Sequence, residues 1–206
     1  MGAPKHLEVA MENDKKTMKG PVDGNLYTYA DYLTWDDDQR WELIDGVPYA
    51  MSSPSRIHQH VLSQLTAEFV MYLRGKKCQA YSAPFDVRIG EEEQADNEIT
   101  TVVQPDLTVV CDNSKLDERG CKGTPDLVVE ILSPSTGKHD KQRKYQLYQR
   151  IGVKEYWIVD PYNYLVEVFV LENGKFALGG IYSRDEELKV GIFDSLTISL
   201  ENIFPE

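Results

Sequence analysis

Two carboxylates stand inside apolar segments of the sequence, where an acidic side chain is costly to bury. Asp106 occurs in QPDLTVV, and Glu130 occurs in DLVVEILS. A carboxylate in a buried strand needs a cation or hydrogen bonds to offset its lost hydration. Either acid alone could cap a loop or pair with an arginine, but the two together favour a shared cation. Hard oxygen ligands of this kind suit Mg²⁺ or Mn²⁺.

A basic segment follows Glu130. Residues 134–155 contain six Lys or Arg and two acids, a local charge of 6 − 2 = +4 in a chain whose formal net charge is −12. Helical spacing places Lys141, Lys144 and Tyr148 on one stripe. A lysine beside a metal site can stabilise the negative charge that develops at phosphorus during phosphodiester cleavage. Taken alone, such a charge run more often forms a solvated helix face.

Two weaker candidates come from the N-terminal half. Glu42, in RWELIDG, flanks a short apolar strand and could approach the same site, but its spacing is explained more simply by a surface ion pair with Arg40 or another basic side chain. His58 and His60 stand at the start of a helix, where they could contact phosphate or cap the first turn. The sequence contains no HExxH, GxSxG or P-loop pattern, so zinc, serine-nucleophile and nucleotide-binding sites of these types are not indicated.

The elements that must position these residues follow a mixed α/β pattern. Hydrophobic periodicity predicts helices over residues 28–38, from Ser55 to Gly75, and over 138–151, with Gly152 ending the last one. Strands are predicted over 40–51, with a hairpin turn at Asp45-Gly46, and over 78–89, 100–111 and 126–132. Four more strands are predicted at 156–159, 165–171, 176–182 and 195–199. The apolar run at 126–132 is typical of a central strand buried on both faces.

Composition limits the class of protein. The 206 residues are 41% hydrophobic and 27% charged, which is typical of one globular domain, here 26–206 after a polar tail at 1–25. The net charge of −12 argues against a general nucleic-acid coat protein. No apolar run approaches the ~20 residues of a membrane span, and no signal core is found. Three cysteines without CxxC spacing predict a reduced, cytoplasmic protein.

Several segments together resemble a known family. They are WELIDGVPYAMSSPSRIHQH, QPDLTVV, PDLVVEILSPST and DKQRKYQLYQRIGVKEYWIVDP. These runs resemble the Uma2 restriction endonuclease family of the PD-(D/E)XK nuclease superfamily, over residues 25–200. Most of the resemblance is carried by PDLVVEILSPST, together with the lysine, the tyrosine and the GVxEYWIVDP segment that follow it.

The resemblance implies a restriction-endonuclease-like α/β fold, in which helices flank a mixed central β-sheet. It implies that Asp106 and Glu130 bind metal, and that Glu42 is the early glutamate that joins the catalytic site. The superfamily lysine expected two residues after Glu130 is replaced by Leu132. The resemblance therefore assigns the lysine role to Lys144, as a migrated replacement whose long side chain reaches in from the next helix.

Three functional hypotheses follow. The first is a Mg²⁺-dependent endonuclease that hydrolyses DNA, with an ion held by Asp106 and Glu130 and a charge-neutralising Lys144. Its further candidate nucleic-acid contacts are Lys138, Lys141, Arg143 and His58. The second is an inactive interaction domain that keeps the scaffold, supported by Leu132 and the net charge; it predicts that Lys144 points away from the acids. The third is a nuclease for RNA or for branched or damaged DNA.

Two further expectations concern specificity and assembly. Sequence specificity would come from loops of this one domain, for example residues 91–98 or 113–123. A homodimer would supply two active sites for cutting both strands, and residues 176–199 would offer an edge for pairing.

Overall fold

The computed structural model describes residues 20–22, 24–91, 93–133 and 138–205, and for residues 138–140 it describes the backbone only. Most of the predicted tail at 1–25 therefore lies outside the described residues, as does the side chain of Lys138. In the described part of the chain, no helix is both long and apolar enough to cross a membrane.

Three α-helices and fourteen strands are found among the described residues. The helices are α1 (Tyr29–Tyr32), α2 (Arg56–Leu73) and α3 (Lys138–Ile151). The strands are β1 (Trp41–Ile44), β2 (Val47–Ala50), β3 (Gln79–Ser82), β4 (Asp86–Ile89), β5 (Thr101–Val103), β6 (Leu107–Val110), β7 (Leu116–Asp117), β8 (Gly120–Lys122), β9 (Leu127–Ile131), β10 (Glu155–Asp160), β11 (Leu165–Glu172), β12 (Lys175–Ser183), β13 (Glu187–Lys189) and β14 (Thr197–Ser199).

A six-stranded mixed sheet forms the centre of the molecule, in the order β12-β11-β10-β9-β6-β3. All neighbours are antiparallel except β9 and β10, which are parallel and joined by α3. Parallel strands need a crossover of this length, and a helix is its usual form. The prediction of a central strand at 126–132 is confirmed, because β9 is paired on both sides and four of its five residues are buried.

The central sheet has a different covering on each face. Leu127, Val129 and Trp157 pack under α2 and the C-terminal β13–β14 pair. On the opposite face, Val128 and Tyr156 pack against α3 and a second six-stranded sheet, ordered β2-β1-β5-β4-β8-β7. The predicted mixed sheet flanked by helices is confirmed, and the second sheet adds a layer that the sequence pattern does not predict.

Several predicted elements differ from the observed ones. The helix predicted over 28–38 ends at Tyr32, although its capping box between Thr28 and Asp31 is present. The strands predicted over 78–89 and 100–111 are each broken near a proline, at Pro84 and Pro105, and their halves enter different sheets. Proline lacks the N–H that a continuous strand would donate to its neighbour.

The cysteines do not follow the expectation of a fully reduced protein. Cys78 and Cys111 form a disulfide between the positions flanking the paired strands β3 and β6. The expectation is therefore wrong for this pair. Cys121 is free and buried, and burial raises the pKa of its thiol to about 11, so it is a poor nucleophile.

Candidate active site

The pairing of β6 with β9 brings the two predicted metal ligands together. Leu107 lies opposite Val129 in this antiparallel pair, so the same register one residue further places Asp106 opposite Glu130. Cross-strand neighbours of this kind have Cβ atoms about 5 Å apart. The Glu130 side chain projects from the sheet face that α3 covers, because it alternates with Val129 and Ile131, which face α2. Asp106 lies directly before β6 begins.

Helix α3 carries Lys144 across this face to both glutamates. Lys144 is 6% exposed. Its Nζ donates to Glu130 Oε1 at 2.9 Å and to Glu130 Oε2 at 3.0 Å. It also donates to Glu42 Oε1 at 3.0 Å. One turn along the helix, the buried Tyr148 donates its hydroxyl to Glu130 Oε1 at 2.6 Å. The helix thus presents two donors to one carboxylate.

The β1–β2 hairpin brings Glu42 to the same place. Its turn residues Asp45 and Gly46 have φ of 53° and 81°, the left-handed pair that a type I′ hairpin turn requires. Glu42 is 4% exposed, and the backbone N–H of Gln104 donates to its Oε1 at 2.8 Å. The sequence-based preference for a surface ion pair between Glu42 and Arg40 is therefore wrong, since Glu42 is buried against Lys144.

Four of the residues at this place form a cluster with more negative than positive charge. Three carboxylates, Glu42, Asp106 and Glu130, line one cleft with Lys144. If all four groups are ionised, their sum is +1 − 3 = −2. The pKa of Glu130 is raised to about 8, chiefly by burial; Lys144 and the Tyr148 hydroxyl lower it, and the nearby Asp106 and Glu42 raise it. The pKa of Tyr148 is itself raised well above its ordinary value, chiefly by burial and then by Glu130. A divalent cation would balance this charge.

Asp106 is held from two sides. Its Oδ2 accepts a hydrogen bond from the backbone N–H of Ile131 at 2.7 Å. His58 Nε2 lies 3.2 Å from the same oxygen. His58 is 6% exposed, and its Nδ1 is buried without a partner. The structure therefore places His58 against Asp106; the helix cap is Ser55, whose hydroxyl accepts from the His58 N–H.

These residues line one cleft of about 320 Å³. Three cationic side chains, Arg40, Lys141 and Arg143, also line it. Lys141 is paired with Glu167 at 2.9 Å, and the Arg143 guanidinium stands 3.8 Å above the ring of Tyr49. Positive groups beside buried carboxylates suit a substrate that carries phosphate.

Most, but not all, of the predicted site residues meet in this cleft. Those that line it are Glu42, His58, Asp106, Glu130, Lys141, Arg143 and Lys144. The side chain of Lys138 lies outside the described residues. The two segments suggested as specificity loops, 91–98 and 113–123, contribute no described residue to the cleft lining.

Sequence reasoning missed Gln104 as a site residue. Gln104 is 7% exposed. Besides its backbone bond to Glu42, its side-chain Oε1 accepts from Arg40, and its Nε2 donates to Asp86 Oδ1 at 2.8 Å. The only sequence signal is its position two residues before Asp106, and that spacing does not reveal which partners an amide will find in the fold.

The donor set fits a hard divalent cation that keeps some of its own water. Within the described residues, no group of three or more His, Cys, Asp or Glu side chains is placed to hold an ion together. A site in this cleft would therefore have two protein ligands, the carboxylates of Asp106 and Glu130, and water would complete the coordination of the ion. Mg²⁺ is commonly bound by one or two carboxylates together with water and substrate phosphate.

Comparison with known proteins gives the family. Residues 29–201 match the model of the Uma2 family, described as "Putative restriction endonuclease". The chain belongs to the Uma2 family. The resemblance read from the sequence is thereby confirmed, and Uma2 membership supports a nuclease.

Two relatives come from Synechocystis sp. (strain ATCC 27184 / PCC 6803 / Kazusa). "Uncharacterized protein slr1290" is 32% identical over 120 residues, a match that spans 57% of this chain and 60% of that protein. "Uncharacterized protein sll1609" is 23% identical over 147 residues, or 69% of this chain and 79% of that protein. Neither relative carries a described activity in its name.

A solved structure has the same fold. It is the crystal structure of a putative nuclease belonging to DUF820 from Anabaena variabilis, with a TM-score of 0.68 and 19% sequence identity. The match covers 86% of this chain and 97% of that one. At this level of identity the comparison establishes the fold of this Uma2 chain.

Proposed function

We propose that this protein is a metal-dependent endonuclease that hydrolyses DNA phosphodiester bonds. The observation that carries the proposal is the buried group of Glu42, Lys144 and Glu130 beside Asp106, at a cleft lined by cationic side chains. The family description as a restriction endonuclease supports DNA as the substrate. A cytoplasmic location belongs to the same proposal; the Cys78–Cys111 disulfide weighs against it, because such bonds are rare in reducing compartments.

Asp106 and Glu130 are the residues that would hold Mg²⁺, or Mn²⁺ in its place. When bound, such an ion supplies Lewis-acid activation of the phosphoryl group. The formal charge of −2 on Glu42, Asp106, Glu130 and Lys144 supports this assignment, because a bound divalent cation would balance the ionised carboxylates.

Lys144 has a defined part in this proposal. Its ammonium group is fixed by Glu42 and Glu130, so it stays close to the place where negative charge develops on the phosphate. A donor held in position before the reaction costs little reorganisation at the moment of reaction. Lys144 thus replaces the superfamily lysine, whose position directly after β9 is occupied by Leu132.

One observation weighs against the inactive-domain hypothesis. That hypothesis predicts that Lys144 points away from the acids, whereas its Nζ contacts both glutamates. Buried ion pairs cost desolvation energy and are often no more stable than a well-packed apolar core. Retention of this charged group is therefore better explained by chemistry than by stability.

The test is cleavage of supercoiled plasmid, single-stranded DNA and RNA, with Mg²⁺ and with Mn²⁺. Asp106→Ala, Glu130→Ala and Lys144→Ala are compared with the wild type. We expect metal-dependent cleavage of DNA that all three substitutions abolish. Cleavage of RNA alone would replace DNA as the substrate. If the wild type cuts none of the three and calorimetry detects no metal binding, the catalytic proposal is refuted.

A further inference from the structure

Arg40 is an exposed arginine whose guanidinium is nevertheless held in one orientation. Its Nε and Nη2 donate to the single acceptor Gln104 Oε1, at 3.1 and 2.6 Å. Within the described part of the chain, Arg40 forms no ion pair with a carboxylate. Its positive charge is therefore anchored by a neutral partner and is not cancelled by an acid.

Gln104 is itself fixed, so this anchor is rigid. Its Nε2 donates to Asp86 Oδ1 at 2.8 Å and to the Tyr32 hydroxyl at 3.1 Å. Asp86 also accepts from the Tyr29 hydroxyl at 3.1 Å. A side chain with its donors and acceptor satisfied in this way cannot turn without losing several hydrogen bonds. The network extends from the second sheet to the cleft and ends at Arg40.

Arg40 stands beside the acidic cluster but not within it. It precedes Glu42 by two residues, so their Cα atoms lie about 7 Å apart along the chain, and both side chains contact Gln104. Both line the cleft. This separation is comparable with the spacing of successive phosphates along an extended nucleic-acid strand. A phosphate at Arg40 would therefore be a neighbour of the phosphate that is cleaved.

We propose that Arg40, held by Gln104, forms a binding subsite for the backbone phosphate adjacent to the scissile one. This inference rests on the proposed function. Arginine presents a planar fork that matches two phosphate oxygens, and preorganisation lowers the entropy lost on binding. The subsite makes the substrate a polynucleotide with at least two consecutive phosphates.

The test compares Arg40→Gln with the wild type on two substrates in Mn²⁺. One is a duplex oligonucleotide; the other is bis(p-nitrophenyl) phosphate, a phosphodiester with no neighbouring phosphate. We expect kcat/KM on the oligonucleotide to fall roughly tenfold or more. The loss on the small diester should be at least tenfold smaller, because it has no phosphate for Arg40 to hold.

A binding measurement adds a readout that does not depend on cleavage. We expect the slope of log affinity for the duplex against log salt, measured in EDTA, to become shallower by about 0.9 in Arg40→Gln, the loss of one phosphate contact. Arg74→Gln is the matched control, because Arg74 is an exposed arginine at the C-terminal end of α2 and does not line the cleft. It should leave both slope and kinetics unchanged.

The outcomes separate this inference from the proposed function. Equal losses on both substrates, or an unchanged salt slope, would refute the subsite, since Arg40 would then act only through Gln104 and Glu42. If the wild type binds duplex DNA but cleaves neither substrate, the proposed nuclease activity is refuted. The salt slope of Arg40→Gln then still tests the phosphate contact at Arg40. A wild type that neither binds nor cleaves would refute both.

Discussion

At the scale of single residues, the site is organised around one buried lysine. Lys144 lies between Glu42, which is buried as deeply as itself, and Glu130, which is slightly more exposed. Removing one member of a buried ion pair leaves the other charge without a partner. The free-energy cost of that unpaired buried charge exceeds the net stabilisation that the intact pair provides. Lys144 is therefore expected to support the fold as well as any chemistry.

Substitution of Lys144 by Met should lower the free energy of unfolding by about 3–5 kcal/mol, measured by urea denaturation in EDTA at neutral pH. The control is Lys141→Met on the same helix, whose partly exposed pair with Glu167 predicts a loss of about 1 kcal/mol or less. Equal effects of the two substitutions would contradict the buried role of Lys144.

The raised pKa of Glu130 predicts a pH dependence of stability. Its pKa in the folded protein is raised from about 4.5 to about 8. The folded state therefore holds this proton more tightly than the unfolded state. The resulting stabilisation is complete below about pH 4.5 and is lost as the pH rises towards 8.

We expect the stability of the wild type, relative to Glu130→Gln, to decrease between pH 5 and pH 8 in EDTA. Added Mg²⁺ should flatten this decrease, because a bound cation favours the ionised carboxylate. Urea denaturation of both proteins at pH 5, 6.5 and 8 measures the difference. Parallel pH profiles for the two proteins would show that Glu130 titrates normally.

The residue types predicted part of this site. Asp106, Glu130 and Lys144 were indicated by acids in apolar strands, the basic helix and the family resemblance, and the structure brings them together. Gln104 and Arg40 were missed because a neutral amide and an exposed arginine have no distinctive local pattern. Their significance depends on Asp86 and Tyr32, which are distant in sequence and meet Gln104 only in the folded chain.

At the scale of elements, the β1–β2 hairpin positions one wall of the cleft. Its turn also lies against the preceding segment: a Cβ added at Gly46 would meet Leu26 Cβ at 3.2 Å and the Tyr27 carbonyl oxygen at 3.3 Å. The β11–β12 hairpin has the same kind of turn at Asn173 and Gly174, with φ of 52° and 78°. A Cβ at Gly174 would meet nothing within 4 Å.

The two hairpins therefore provide a matched pair of substitutions. Gly174→Ala should cost about 1–2 kcal/mol, the penalty of a left-handed conformation for alanine. Gly46→Ala should cost more, because close contacts add to the same penalty. It should also reduce cleavage, since this hairpin carries Arg40 and Glu42. Equal stabilities in thermal unfolding, with equal activities, would contradict the positioning role of the first hairpin.

The elements were predicted best where local chemistry determines them. The Asp45-Gly46 turn and α3, which ends before Gly152 with φ of 85°, agree with the sequence pattern. The segments at 78–89 and 100–111 were predicted as single strands, because apolar alternation does not show that a proline divides a strand between two sheets. Strands β7 and β8 are too short to give a periodic signal.

At the scale of the whole molecule, the disulfide links two segments that are 33 residues apart in sequence. It joins the end of α2 and the start of β3 to the strand that follows Asp106. A cross-link of this span stabilises a protein mainly by restricting its unfolded chain, by about 3–5 kcal/mol.

Thiol counting and denaturation test this cross-link. The unfolded wild type should show one reactive thiol, Cys121, and three after reduction. Reduction should lower its free energy of unfolding by about 3–5 kcal/mol. The stability of a Cys78→Ser, Cys111→Ser double variant should not change with dithiothreitol. Three thiols in the untreated protein would show that Cys78 and Cys111 are reduced, as the number and spacing of the cysteines predict.

The most direct test of the central claim is the rate of plasmid cleavage as Mg²⁺ is varied, for the wild type and Asp106→Asn. This substitution keeps the size of the side chain but removes one proposed anionic ligand. If Asp106 binds the ion, we expect saturable, Mg²⁺-dependent cleavage by the wild type and loss of cleavage in Asp106→Asn at every Mg²⁺ concentration. Cleavage that persists in EDTA, or an Asp106→Asn protein as active as the wild type, would contradict the central claim.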